Sequence, residues 1–132
     1  MCIFCKIIKG EIPSYKVYET DELVAFLDIS QATKGHTLIV PKKHFENLLE
    51  VDEETLQKIS VAQKEVAKLL GEKLGTKSFN FVNNCGAIAG QSVMHVHFHV
   101  IPRYEGDDFK MHIVEHQPDF DALSKLHKQI IE

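Results

Sequence analysis

Apolar and polar positions along the chain follow two periods, which predict two kinds of element. Short runs rich in β-branched and aromatic residues predict strands at residues 15–19, 23–28, 36–40, 78–83 and 95–101. The first two runs flank the turn sequence Thr20-Asp21-Glu22, so we expect them to form a hairpin. Pro41 and Pro102 follow the third and fifth runs and are expected to end them, because proline cannot donate to a strand ladder.

Helical spacing marks three other segments. The longest begins after Asp52, which can cap a helix, and is expected to end at Gly71. Its apolar stripe consists of Leu56, Ile59, Ala62, Val66 and Leu69. Residues 2–9 predict a short helix, and a closing amphipathic helix is expected after a polar link over residues 105–118. The apolar positions of this closing helix are Phe120, Leu123, Leu126, His127 and Ile130.

Strands in antiparallel succession around one long helix predict an α+β fold. We expect a single domain over residues 1–132, with a five-stranded antiparallel sheet, one long helix and short terminal helices.

Composition narrows the possible partners. The 132 residues include 15 Lys and Arg against 19 Asp and Glu, a formal charge of -4, so DNA or RNA is not expected as a partner. There is no apolar run of about 18 residues and no charged leader, so we expect no membrane association and a cytoplasmic location. The 3 cysteines are too few for a disulfide scaffold, whereas 8 histidines are a high number and the first functional hint.

The histidines concentrate in the run His95-Val96-His97-Phe98-His99-Val100. In a strand, alternate side chains share a face, so His95, His97 and His99 are expected to point one way. Neighbouring members would lie about 6.6 Å apart and the outer pair about 13 Å, so two could share a target but three could not. We therefore expect them to hold different functions. A polar outer face and a catalytic metal site are the alternatives.

The loop before this run can bind an anion without Lys or Arg. Residues 84–92 contain Gly86 and Gly90, which allow backbone amides to turn toward a ligand, and Asn84, Gln91 and Ser92 add neutral donors. Because the loop adjoins the histidine run, it is a candidate phosphate cradle.

Cys2 and Cys5 form a Cys-x-x-Cys pair, which is either a redox couple or half of a zinc site. Redox pairs of this kind open a helix after a strand, and no strand can precede Cys2 here, so zinc is favoured. His44 and His95 are the candidates for the two remaining ligands.

The run from His95 to Ile101 resembles the His-x-His-x-His signature of the histidine triad (HIT) superfamily. The resemblance continues to the purine-nucleotide-binding Hint branch over Asp28-Ile29, Gly35-His36, Pro41-Lys42-Lys43-His44, Asn84 and Ala89-Gly90-Gln91-Ser92. It implies a homodimer with joined sheets. It also implies hydrolysis of purine nucleoside monophosphates of the AMP or GMP type, linked to amines or other leaving groups, through a nucleotidyl-histidine intermediate.

The same resemblance implies a role for each residue. His97 would be the nucleophile, which must be uncharged and needs an acceptor for its opposite ring nitrogen. His99 and Ser92 would lie near the phosphate and the leaving group, and His36 would support the cluster. The remaining nucleotide contacts would be Asn84, Gly90 and Gln91 at the phosphate, Asp28 at the ribose, and Ile3, Phe4, Ile7, Phe26 and Ile29 around the base.

Some bacterial relatives carry a structural zinc ion on the set that Cys2, Cys5, His44 and His95 match. Four protein ligands leave no position for a reactive water, so this zinc would hold the N-terminal turn beside the histidine run. A zinc-stapled nucleotide-binding adaptor with little turnover is the alternative function.

Overall fold

The computed structural model describes residues 2–132. The elements along the chain are α1 (Ile3–Ile8), β1 (Lys16–Glu19), β2 (Leu23–Leu27), β3 (Thr37–Pro41), α2 (Glu53–Leu74), β4 (Ser78–Val82), β5 (Phe98–Arg103) and α3 (Phe120–Ile131). The five strands form one antiparallel sheet in the order β1-β2-β3-β5-β4. The predicted α+β architecture is therefore confirmed. No helix among these residues is both long and apolar enough to cross a bilayer.

Each face of the sheet has its own apolar cluster. The long helix α2 packs on one face, where its buried residues Ile59, Ala62 and Val66 share a cluster with strand residues such as Ile39 and Val100. On the other face the short helix α1 packs through Phe4 and Ile7, against Val24, Phe26, Leu38 and Val40. The second face leaves room beside α1, and the functional side chains lie there.

Helix α2 begins as predicted, since the Asp52 carboxylate caps it by accepting from the amide of Thr55 at 3.0 Å. The prediction that it ends at Gly71 is wrong. The helix continues to Leu74 and ends at Gly75, whose φ of 75° is the left-handed conformation that glycine adopts readily. Gly71 is needed for close packing instead, because a Cβ there would lie 2.5 Å from the Thr76 carbonyl oxygen.

The last strand begins later than predicted, at Phe98. His95 and His97 precede it in an irregular segment, in which the Val96 amide donates to the Phe45 carbonyl at 2.8 Å instead of to a neighbouring strand. The expected alternation of side chains is nevertheless confirmed. Val96, Phe98 and Val100 lie in the apolar cluster on the α2 face, whereas His95 and His97 contact Phe4 of α1 and His99 lies beside His97. The strand also runs through Pro102, which is tolerated because β3 pairs with β5 only as far as Val100.

The C-terminal helix forms where expected but does not close onto the sheet. Every residue from Lys110 to Glu132 is exposed, including all of α3. We call residues 110–132 the C-terminal arm. Its start is held by Arg103, which donates to Asp107 at 2.8 Å and to the Phe109 carbonyl at 2.9 Å.

Candidate active site

His97 is held in one tautomer by the main chain. Its Nδ1 lies 2.9 Å from the carbonyl oxygen of His95, and because a carbonyl can only accept, Nδ1 carries the proton. The opposite nitrogen, Nε2, therefore has a free lone pair. The ring is only 6% exposed and meets Phe4 edge-on with 5.2 Å between ring centroids. The acceptor required of a histidine nucleophile is thus present.

A chain of hydrogen bonds fixes the tautomer of His99 as well. The amide of Ala32 donates to His36 Nδ1 at 3.1 Å, so the proton of His36 is on Nε2. That Nε2 lies 2.9 Å from His99 Nδ1, which must then accept. His99 is left with a proton on Nε2. It is therefore a neutral hydrogen-bond donor beside His97, whose ring centroid is 5.2 Å away.

Burial favours the neutral form of this histidine pair. The pKa of His99 is lowered to about 4. Burial is the main cause, and the neighbouring His97 and His36 contribute in the same direction. Burial also lowers the pKa of His36, although the carboxylate of Asp28, 3.6 Å from its Nε2, opposes the shift. Near pH 7 both rings are therefore uncharged.

One cavity of about 390 Å³ brings most of the predicted nucleotide contacts together. Its lining includes Ile3, Phe4, Ile7, Phe26, Asp28, Ile29, Ser92, His97 and His99. One end is apolar and the other carries the imidazoles, which suits a ligand with a flat apolar part and a polar part. Sequence reasoning missed further lining residues, namely Ile12, Pro13, Ser14, Tyr15, Leu27, Ser30, Leu38 and Val93. The apolar residues between α1 and β1 were the available signal for part of that set.

The glycine loop lies beside this cavity, but its residues differ in their roles. Gly86 and Gly90 both have positive φ, 95° and 97°, and Gly90 lies against the amide group of Asn84. Ser92 lines the cavity, whereas Gln91 is 4% exposed and lies outside the lining. The Gln91 side chain accepts from the Gly86 amide at 2.8 Å and donates to the carbonyls of Glu46 and Val93 at 2.7 and 2.9 Å. Gln91 therefore holds the loop together.

A second glutamine, missed by sequence reasoning, holds the loop that carries Asp28 and His36. The Gln31 side-chain amide donates to the carbonyls of both residues, at 2.6 and 2.7 Å. Its oxygen accepts from the Gly35 amide at 2.7 Å. No pattern in the sequence indicates this bracket, because each of its partners is a main-chain atom.

The four predicted zinc ligands lie together. Their ligand atoms are all within 4.8 Å of one another, and His95 Nδ1 lies 3.3 Å from Cys2 Sγ, 3.5 Å from Cys5 Sγ and 3.1 Å from His44 Nδ1. Tetrahedral zinc places such atoms about 3.3–3.8 Å apart. His95 Nε2 donates to the Pro41 carbonyl at 2.8 Å, which leaves Nδ1 free to bind a metal. The donor set and its geometry fit a structural zinc ion.

His97 belongs to neither cluster of potential metal ligands found among residues 2–132. The second cluster consists of Asp28, His36 and His99, but the proton that Ala32 forces onto His36 Nε2 occupies the nitrogen a metal would need. The donor geometry therefore argues against a catalytic metal bound through His97.

The comparison with known proteins agrees with this geometry. The sequence profile of the HIT domain matches residues 9–106, which include the cavity wall of β2 and the whole histidine run. The chain belongs to the HIT family.

Three proteins similar to this HIT protein illustrate the extent of the match in sequence and structure. Adenosine 5'-monophosphoramidase HNT1 of Saccharomyces cerevisiae is 46% identical over 131 residues, covering 98% of this chain and 80% of the yeast protein. The crystal structure of SMU.412c from Streptococcus mutans, 44% identical, superimposes with a TM-score of 0.92 and covers 98% of this chain and 82% of its own. A Zn-bound histidine triad family protein from Mycobacterium smegmatis is 32% identical, with a TM-score of 0.79 and coverage of 97% and 96%.

Proposed function

We propose that this HIT protein hydrolyses purine nucleoside monophosphates linked to an amine or a related leaving group, through a nucleotidyl intermediate on His97. The observation that carries the proposal is the free Nε2 lone pair of His97, fixed by the His95 carbonyl at a cavity that His99 also lines. The yeast relative, an adenosine 5'-monophosphoramidase, supports the substrate class.

Binding follows from the lining of the cavity. The purine would lie in the apolar slot, where flat and branched side chains surround it: Ile3, Phe4, Ile7, Phe26 and Ile29. Asp28 would accept from the ribose hydroxyls. The phosphate would then meet neutral donors, which are His99 Nε2, the Ser92 hydroxyl, and loop amides around Asn84 and Gly90.

The reaction proceeds in two displacements at phosphorus. The lone pair of His97 Nε2 attacks, and a new nitrogen–phosphorus bond forms as the bond to the leaving amine breaks. The amine leaves with one proton, which the Ser92 hydroxyl relays from solvent to the leaving nitrogen. Water then attacks the phosphorus of the nucleotidyl-histidine, the bond from phosphorus to His97 Nε2 breaks, and the nucleoside monophosphate is released while the surplus proton of the water returns to solvent. Throughout, the proton on His97 Nδ1 remains bonded to the His95 carbonyl, which stabilises the positive charge on the ring.

His36 acts through His99, so we propose it as a positioning residue of the catalytic group. Its proton on Nε2 keeps the Nδ1 of His99 an acceptor, and His99 can then direct its own proton to the phosphate.

A zinc ion on Cys2, Cys5, His44 and His95 would be structural. It would join α1, which forms one wall of the base slot, to the segment that carries His97. The zinc-bound mycobacterial relative supports this proposal.

We also propose that the sheet continues into a second copy at β4. The other edge strand, β1, is interrupted by an irregular register and carries Lys16 and Glu19, features that protect an edge from pairing. Strand β4 reads Ser-Phe-Asn-Phe-Val, has no charge, and leaves Phe81 48% exposed. An apolar groove beside it, between α2 and β4, has a volume of about 660 Å³ and includes Ala67, Gly71 and Phe79.

Trapping of the intermediate tests the proposed chemistry. Adenosine 5'-phosphoramidate is mixed with the protein, quenched within milliseconds and analysed by intact mass. We expect a transient nucleotidyl adduct in the parent and none in His97→Asn, while His97→Asn still binds AMP. The matched variant His99→Asn should still form the adduct, only more slowly. An adduct of undiminished yield in His97→Asn would disprove the proposal, and tight AMP binding without turnover of any substrate would favour the adaptor.

A further inference from the structure

The main chain of His97 lies beyond the hydrogen-bond ladders of the sheet. Pairing of β5 with β3 ends at Phe98, and its pairing with β4 ends at the pair formed by Val82 and His99. His97 itself precedes the first residue of β5. Strand pairing therefore does not fix the backbone that carries the proposed nucleophile.

Two hydrogen bonds from outside the ladders hold this backbone, one on each side of the His97 ring. Before the ring, the Val96 amide donates to the Phe45 carbonyl at 2.8 Å. After it, the His97 carbonyl accepts from the side-chain amide of Asn83 at 2.9 Å. The first bond joins two main-chain atoms, so it survives most substitutions. The second depends on one side chain, and a single substitution can delete it.

Asparagine is suited to this position by its chemistry. Its Nδ2 group is an uncharged donor, and the His97 carbonyl can only accept. An aspartate carboxylate has nearly the same shape, but when ionised it offers acceptors only. A buried carbonyl that loses its donor pays the cost of desolvation, so the backbone shifts toward a new partner. Loss of the Asn83 donor therefore displaces the backbone of His97.

The backbone position matters because the tautomer of His97 depends on it. Its Nδ1 donates to the carbonyl of His95, only two residues earlier. So local a bond forms only over a narrow range of the backbone dihedral angles between the two residues. When it weakens, the neutral imidazole exchanges between its two tautomers, and in the other tautomer the proton lies on Nε2. That nitrogen then has no lone pair to offer to phosphorus.

The end of β4 also leads directly into the glycine loop of residues 84–92. Asn84 follows Asn83, and its side-chain amide lies against Gly90. The hydrogen bond from Asn83 to His97 therefore joins the start of this loop to the peptide of the proposed nucleophile. It sets the distance between the nitrogen that attacks and the loop amides that would hold the phosphate. A displacement of about 1 Å between such groups can cost about a hundredfold in rate.

We propose that Asn83 is a positioning residue of this active site, which holds His97 in its nucleophilic tautomer and at a fixed distance from the glycine loop. Asn83 acts through the His97 carbonyl and lies outside the lining of the cavity. Its effect on the rate rests on the proposed function, whereas its effect on the tautomer does not.

Nitrogen NMR measures the tautomer in the full-length protein. Two-bond ¹⁵N–¹H correlation spectra at neutral pH distinguish a protonated ring nitrogen from one with a lone pair, and His97→Asn identifies the His97 signals. We expect the parent to carry the proton on Nδ1, and Asn83→Ala and Asn83→Asp to show both tautomers. Asn80→Ala is the matched control, because it removes another asparagine hydrogen bond of β4, from Arg103 at 2.8 Å. It should keep the tautomer of the parent.

Rapid-quench kinetics with adenosine 5'-phosphoramidate supplies the second measurement. We expect both Asn83 variants to form the nucleotidyl adduct at least about tenfold more slowly than the parent, while the dissociation constant of AMP changes less than about threefold. Asn80→Ala should keep the rate of the parent.

Two results would overturn the positioning role. One is the parent's rate of adduct formation in both Asn83 variants. The other is a slow rate with the proton of His97 still fixed on Nδ1, which would show that Asn83 only stabilises the fold. A parent that forms no adduct would refute the proposed function instead, and the tautomer spectra would still decide the role of Asn83.

Discussion

Acid should destabilise this protein through His99 in a way that can be calculated. Burial lowers the pKa of His99 to about 4, against the ordinary value of 6.5 that applies to the unfolded chain. Between those two values the unfolded chain binds a proton at this ring and the folded chain does not, so stability falls as pH falls. From about pH 7.5 to about pH 5.0 the loss amounts to about 2 kcal/mol at most. This loss of stability is an upper limit, because the His99 ring borders the open cavity, where solvent reduces the effect of burial.

The assay compares the free energy of unfolding in urea at both pH values. Circular dichroism at the helix band follows unfolding, because the chain has no tryptophan. We expect His99→Gln to reduce the loss of stability between the two pH values by up to about 2 kcal/mol, while the part that comes from His36, whose pKa burial also lowers, remains. His116→Gln, which removes an exposed histidine, is the matched control and should change the pH dependence of the free energy of unfolding less than His99→Gln does. The four zinc ligands are identical in all three proteins, so acid release of metal cancels in the comparison. If His99→Gln keeps the full slope of the parent, the reasoning is refuted.

Three further predictions concern the packing and the metal. Gly35→Ala should lower the free energy of unfolding in urea by about 1–3 kcal/mol, because φ is +95° and the new Cβ would lie 2.5 Å from Leu74 Cδ1; an unchanged value would contradict this. Cys5→Ala should lose bound zinc by elemental analysis and melt at a lower temperature, whereas Cys85→Ala should keep its zinc. Gln31→Ala should raise KM and lower kcat together, because it loosens the loop that holds both Asp28 and His36; unchanged constants would contradict a positioning role.

The sequence predicted the elements of the fold well because their signals are local. The stripe of α2 and the alternating runs specify the helix and the strands, and the antiparallel arrangement of the sheet was inferred from their succession, whereas the order of the strands was not predicted. The bounds at Gly71 and Pro102 were wrong for tertiary reasons. Gly71 lies inside the helix and is required there because the Thr76 carbonyl oxygen approaches it closely. Pro102 is tolerated inside β5 because the pairing of β5 with β3 stops at Val100.

The candidate site was predictable in its residue types but not in its bonding. The motif placed His97, His99 and Asp28 together, and the cavity contains all three. The main-chain acceptor for His97 and the brackets formed by Gln31 and Gln91 were not predictable, because main-chain atoms leave no mark in a sequence.

The partner of His97 Nδ1 has an evolutionary consequence. That partner is the carbonyl oxygen of His95, whereas the side chain of His95 faces the two thiols and His44. Every amino acid supplies a carbonyl, so no substitution at position 95 can delete the acceptor as long as the backbone keeps its path. A lineage can therefore lose the thiols and the metal and still inherit a correctly protonated nucleophile. Metal dependence and bond-breaking chemistry can evolve separately, although one residue serves both.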